Sequence, residues 1–150
     1  MDTLGLIAAT LSWPQLLPAS RIVLVSAYLI GGIQKLIDFN DAVAAQPHFG
    51  LEPAWPWAIA AIVVEIGGSA LVTVGRFVWL GAGGLGVFTA IAILAANDFW
   101  TMERHDRSIA LNSFFEHLSL IAGLVLVSVI FLQAQGETLH EASHDLQPSP

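Results

Sequence analysis

Four polar side chains stand out because their neighbours in the chain are apolar: Lys35, Glu65, Asn97 and His117. A lysine ammonium carries three donors, so it can pair with a carboxylate and still donate to another acceptor. Glutamate and histidine can take up and release protons. Asparagine offers a donor and an acceptor together. Brought to one place, these groups could hold the carbonyl oxygens of a small ligand and exchange protons with it. A plainer alternative is a Lys35–Glu65 pair that only orders two helices, with His117 a hydrogen-bonded structural group. Both readings need elements that carry distant positions to one level of the fold.

Two further patterns suggest chemistry that their settings do not support. Gly81-Ala82-Gly83-Gly84-Leu85-Gly86 satisfies G-x-G-x-x-G. A dinucleotide site needs a strand before that loop and a helix starting at it. Here the glycines lie inside an uncharged apolar run, where a pyrophosphate would sit in hydrocarbon. Small residues there instead let helices approach closely, with Ala82 and Gly86 as a small-xxx-small pair. His140-Glu141-Ala142-Ser143-His144 satisfies H-E-x-x-H. A zinc protease needs that helix in a rigid fold with a third ligand. This copy begins eleven residues from the last one, and His105 falls on the opposite side of the predicted topology. The sequence therefore predicts no metal site.

The elements follow from hydropathy. A spanning helix needs about 20 mostly apolar residues. Phe77 to Asn97 is a run of 21 without Asp, Glu, Lys or Arg. Leu118 to Gln135 is likewise uncharged. Ile22 to Ile37 is interrupted only by Lys35, and Pro53 to Gly75 only by Glu65 and the closing turn. Backbone in lipid must satisfy its own hydrogen bonds, and none of these runs alternates with period two, so all four read as helices. Gly75-Arg76 makes a tight turn between the second and third. The segments Asp38 to Trp55 and Asp98 to Ser113 are polar connections. Trp55, Trp57, Trp79, Phe99, Trp100, Phe114 and Phe115 form an interfacial belt near the span ends.

The fold class is thus an all-α membrane protein: a four-transmembrane-helix bundle with an N-terminal interfacial helix. Residues 1–18 form the interfacial segment, 19–135 the bundle and 136–150 a mobile acidic tail. The interfacial helix runs from Leu4 to Trp13, with Leu4, Ile7, Ala8 and Leu11 on one face and Pro14 as its stop. The alternative for residues 3–20 is a fifth span.

Composition agrees. Of 150 residues, 55% are hydrophobic and 11% are charged, against about 25% charged in soluble domains. Five Lys+Arg against twelve Asp+Glu give a net charge of −7, which argues against a nucleic-acid partner, since phosphate contacts need clustered cations. The absence of cysteine removes disulfides, thiol relays and iron–sulfur ligation by this chain.

With the N-terminus on side X, the chain crosses X to Y, Y to X, X to Y and Y to X. Lys35 then lies about 6 Å inside the Y end of span one, and Glu65 about 12 Å inside the Y end of span two. Asn97 ends span three on side Y, and His117 lies about one turn inside the Y end of span four. Each span supplies one polar group to the same half of the bundle. A central ionised side chain costs about 2.5–3.5 kcal/mol on insertion scales, so Glu65 needs a partner, and the long side chain of Lys35 can reach it. Arg104 and Arg107 lie on side Y, Arg21 and Arg76 on side X. With Lys35 that is three against two, and the positive-inside rule selects no orientation.

These residues carry a family resemblance. Gly31-Gly32-Ile33-Gln34-Lys35-Leu36-Ile37-Asp38-Phe39 and Glu65-Ile66-Gly67-Gly68 resemble the DoxX family of small bacterial and archaeal membrane proteins. So do Asp98-Phe99-Trp100 and Phe114-Phe115-Glu116-His117-Leu118-Ser119-Leu120-Ile121-Ala122-Gly123. The resemblance covers roughly Ser20 to Leu132. The family often has histidine where Asn97 stands and asparagine where His117 stands, as if the two types were exchanged between spans three and four. The family is named for a subunit of a thiosulfate:quinone oxidoreductase, and some members belong to membrane redox or oxidative-stress systems. The resemblance implies a multi-pass protein of the bacterial inner membrane that touches quinone.

Three functions compete. The first is a membrane subunit of a respiratory or quinone-linked complex, with Lys35, Glu65, Asn97 and His117 lining a polar pocket and apolar walls holding a quinone tail. No redox centre can be built from this chain, so electron transfer would depend on a partner or a bound quinone. The second is a non-catalytic structural or assembly subunit whose glycine-rich third span packs on another membrane protein or a second copy. The third is a small transporter, against which no broken helix is evident.

Overall fold

In a computed structural model the described residues are Thr3, Gly5, 15–96 and 104–145, with backbone alone described at 96, 104–106 and 137–145. Every described element is a helix: α1 (Leu16–Ile37), α2 (Phe39–Ala45), a 3-10 turn (Gln46–Phe49), α3 (Ala54–Val74), α4 (Val78–Ala96) and α5 (Arg104–Asp145). Four of them, α1, α3, α4 and α5, are long and apolar enough to cross a membrane. The chain is an all-α, multi-pass membrane bundle, and its outer faces contact lipid. The expected interfacial helix, Leu4 to Trp13, lies outside the described residues except for Gly5.

Local chemistry sets the boundaries. α1 begins at Leu16, earlier than the apolar run suggests, and takes in Pro18. Proline in the first turn costs no hydrogen bond, because the first N–H groups of a helix have no internal partner. Its 22 residues span about 32 Å, close to the hydrocarbon thickness. α3 starts after Pro53 and ends at Gly75, which holds φ at +74° and returns its N–H to the Leu71 carbonyl at 3.1 Å. That left-handed cap needs glycine. Phe77 then takes φ +54°, strained for a side chain of its size, and its carbonyl accepts from the Leu80 and Gly81 N–H groups to open α4. The expected tight turn is present.

α5 differs most from the sequence reading. Its helix starts at Arg104, inside the segment read as a polar connection, and continues past Gly136 to Asp145. Nothing between interrupts it: there is no proline, and glycine occurs only at 123 and 136. At about 1.5 Å per residue it reaches about 60 Å, twice the hydrocarbon thickness. Its ends must therefore project beyond the membrane.

α3 packs between α1 and α4, and α4 packs on α5. α1 meets α5 where Leu24 approaches Gly123. The shared core is Val25 and Tyr28 of α1, Val72 of α3, Val78, Ala82 and Leu85 of α4, and Leu124 and Val127 of α5. In lipid, association rests on close packing rather than on apolar burial from water. The closest approach is glycine on glycine: a Cβ on Gly81 would stand 2.7 Å from the Gly68 carbonyl oxygen. The expected Ala82–Gly86 pair is only half right. Ala82 is buried, but Gly86 has nothing within 4 Å of a Cβ position. The inward stripe of α4 runs through 78, 82, 85 and 89, and Gly86 is turned off its centre by about 70°.

Candidate functional site

α1 ends at Ile37, so Lys35 sits two residues from its Y end, nearer the boundary than the sequence reading places it. Glu65 is the twelfth of the 21 residues of α3. The two meet. Lys35 Nζ donates to Glu65 Oε1 and Oε2, each at 2.8 Å. Exposure is unequal: the side chain of Glu65 is 6% exposed and that of Lys35 is 33%. The carboxylate is enclosed, while the lysine side chain is partly exposed.

The adjoining glycines make this contact possible. A Cβ on Gly32 would stand 2.8 Å from Ile66 Cγ1 and 3.1 Å from Glu65 Cβ. Only a bare backbone lets α1 lie that close to α3 beside Glu65. Gly31 faces the charged atoms, with Lys35 Nζ 3.6 Å and Glu65 Oε2 3.7 Å from its Cβ position. Two of the ammonium's three donors are taken by Glu65. The third has no acceptor among the described residues.

His117 is placed differently. It is the fourteenth residue of α5, about 20 Å along it. Its Nδ1 donates to the carbonyl of Ser113, one turn back, at 2.6 Å. A carbonyl only accepts, so Nδ1 carries a proton and is the donor of this bond, and Nε2 has no partner among the described residues. These bonds stay within α5. The structure brings Lys35 and Glu65 together but does not bond His117 to either. Asn97 lies outside the described residues.

Deeper in the bundle lies a polar contact the sequence reading missed. Thr89, 1% exposed, donates to the Leu85 carbonyl at 2.7 Å. Its single proton is then used, so the 2.7 Å bond between Tyr28 and Thr89 has the Tyr28 hydroxyl as donor. Ser69 adds a long bond to the Val25 carbonyl at 3.4 Å. Tyr28, Gly32 and Lys35 follow one stripe of α1 at spacings of four and three. The signal was available: Tyr28 is the only tyrosine, seven residues before Lys35. Arg21, which the sequence places on side X, also has an aromatic neighbour. Its guanidinium lies 5.3 Å from the Phe131 ring centroid.

Other features carry less. Asp41, Ala44, Ala45, His48 and Phe49 line a surface groove of about 480 Å³ that does not include Lys35 or Glu65. Among the described residues no group of three or more His, Asp or Glu side chains could hold a metal ion. The side chains of His140 to His144 lie outside those described. The G-x-G-x-x-G run is mid-helix, within α4.

One family model, that of DoxX, matches residues 16–98. The chain belongs to the DoxX family. The match begins at the first residue of α1 and ends just past α4, so it contains both partners of the ion pair and the glycines beside them. It stops short of α5, so His117 and the segment from Phe114 to Gly123 lie beyond it. No curated protein and no solved structure matches the chain.

Proposed function

We propose that this DoxX-family chain is a subunit of a quinone-linked oxidoreductase complex in the bacterial inner membrane, with its ligand-facing group at Lys35. The observation that carries this reading is the divided role of the ammonium. Two donors are fixed on an enclosed carboxylate, while one remains on a side chain 33% exposed near the Y boundary. A quinone carbonyl accepts one such N–H. Glu65 acts as the positioning group that holds Nζ in place. Leu36, 60% exposed, and Phe39, 36% exposed, extend an apolar surface beside it that suits a prenyl tail. When bound, quinone supplies the two-electron, two-proton chemistry that this chain lacks. Asn97 and His117 complete the proposed polar set, His117 through the Nε2 that its bond to Ser113 leaves open.

The test is purification in mild detergent with quantitative mass spectrometry of co-purifying lipids and proteins. Quinone and redox subunits near one per chain support the reading, provided that Lys35→Met lowers the quinone while the protein remains folded. Recovery of the chain with bulk phospholipid alone would sink it.

A structural or assembly subunit is the second reading, and one observation favours it. Gly83, Gly84 and Gly86 have nothing within 4 Å of their Cβ positions, and exposed Leu80, Val87 and Ile91 flank them. That face of α4 could admit a helix of another subunit or of a second copy. Substitutions there, rather than at Lys35, would then disrupt assembly.

A further inference from the structure

The first span carries one cation near each end, and only one of them has a carboxylate. Arg21 is the sixth residue of α1, about 7–8 Å along the axis from Leu16 on side X. Lys35 is held by two bonds to Glu65. Arg21 has no ion pair among the described residues. Its surroundings are an aromatic ring and a turn of backbone. The guanidinium lies over Phe131, and one Nη stands 3.0 Å from the Cβ position of Gly75. Its Nε is buried without a hydrogen-bond partner.

Arginine does not lose its charge in proteins. A lone cation at this depth must reach an anion or water at the headgroup level, which a long side chain can do. The neighbouring groups favour an anion. Arg76 follows Gly75 directly and is exposed in the same α3–α4 turn. The Leu80 and Gly81 N–H groups are satisfied by the Phe77 carbonyl, which leaves the first N–H groups of α4 opening beside that turn. Phe77 and Trp79, 58% and 51% exposed, put aromatic surface next to the charges. Two guanidinium groups at the edge of the membrane, one of them over an aromatic ring, match a phosphate diester attached to acyl chains.

We propose that Arg21 and Arg76 form a binding site for the phosphate of an anionic phospholipid in the leaflet on side X. Arg21 supplies the inner contact through its fork, fixed against Phe131 and the Gly75 turn. Arg76 supplies the outer contact. The site is independent of the quinone reading, because it lies at the other end of α1 and shares no residue with the Lys35–Glu65 pair.

The test uses the full chain in detergent, incubated with equal amounts of phosphatidylglycerol and phosphatidylcholine. Native mass spectrometry then counts the lipids retained. Each arginine near a membrane surface is worth about a fivefold preference, so the wild type should favour phosphatidylglycerol about 25-fold. Arg76→Gln, at an exposed turn position, should keep the fold and lose about fivefold of that preference. Arg21→Lys keeps the charge, loses the fork, and should also reduce it. Millimolar inorganic phosphate should not displace the lipid. Equal retention of the two lipids by the wild type would overturn the proposal, as would Arg76→Gln and Arg21→Lys both retaining full preference. Displacement by inorganic phosphate would overturn the lipid as its ligand.

Discussion

The Lys35–Glu65 pair predicts an asymmetry that a symmetric salt bridge would not show. Removing one member of a buried pair costs about 3–5 kcal/mol, while exposed pairs are worth about 0–1 kcal/mol. This pair belongs to both classes, because the Glu65 side chain is 6% exposed and that of Lys35 is 33%. Lys35→Met strands an enclosed carboxylate near the middle of α3 and should cost about 3 kcal/mol, the lower end of the buried range. Glu65→Leu strands an ammonium two residues from the end of α1, which can swing to the boundary. That change should cost about 1 kcal/mol. The double variant replaces both charges with apolar groups of similar size and should also cost about 1 kcal/mol or less. The coupling, the double less the sum of the singles, is then about 3 kcal/mol in magnitude. Reversible unfolding in mixed detergent and dodecyl sulfate micelles would measure it, with the five tryptophans as the fluorescent probe. If Glu65→Leu costs more than Lys35→Met, or if the singles add to within about 0.5 kcal/mol, the geometry described here does not govern the energetics.

The same assay checks three other contrasts. Gly32→Ala should destabilise by about 1–3 kcal/mol, because its Cβ would stand 2.8 Å from Ile66, whereas Gly31→Ala meets nothing closer than 3.6 Å and should be neutral or better. Gly81→Ala drives a Cβ against the Gly68 carbonyl at 2.7 Å and should weaken the α3–α4 contact, while Gly83→Ala should raise helix stability by up to about 1 kcal/mol. Thr89→Val leaves the Tyr28 hydroxyl buried without an acceptor and should cost about 1–3 kcal/mol; Tyr28→Phe leaves Thr89 still bonded to Leu85 and should cost about 1 kcal/mol. Equal losses within any of these contrasts would contradict the packing that distinguishes its members.

The four spans were legible because a run of about 20 apolar residues has few other uses. Their ends were less so. Span one reads as starting at Ile22, yet its helix begins at Leu16, because proline at 18 is permitted in a first turn. Arg104 to Ser113 reads as a connection because it is polar, yet a helix outside the membrane can be polar, and no breaker interrupts this one. The Lys35–Glu65 contact was legible because placement in the same half of the bundle, opposite charge, a lysine side chain long enough to cover the depth difference and the cost of an unpaired carboxylate all point to it. The relation of His117 to that pair was not. Counting residues gives a height along each helix but not which side of the helix faces a neighbour, and His117 turns its Nδ1 back on Ser113. Gly86 shows the same blindness, since its small-xxx-small spacing with Ala82 does not say which face meets α3. Tyr28 and Thr89 were missed because hydroxyl side chains in a helix have a ready acceptor one turn back, as Thr89 has in Leu85.

The bundle's charges also bear on how it sits in its membrane. Among the described residues its ion pair uses the only acidic side chain of α3, at the lysine end of α1. No second carboxylate stands within α1, α3 or α4 to answer Arg21. The arginine end is instead built from a ring, a left-handed glycine turn and a second arginine. The two residue types suit these two ends. Lysine is a compact charge that an enclosed carboxylate can hold while one donor stays available. Arginine is a flat, less strongly hydrated cation that stacks on an aromatic ring and grips phosphate through its fork. Exchanging them is therefore a stricter test than deleting either. Lys35→Arg places a larger planar group beside Gly31, where the Cβ position is already 3.6 Å from Nζ, and should loosen the α1–α3 contact. Arg21→Lys should leave that contact untouched and lower only the preference for anionic lipid. If both exchanges behave alike in stability and in lipid retention, charge alone accounts for the two ends, and the specific chemistry assigned to each is wrong.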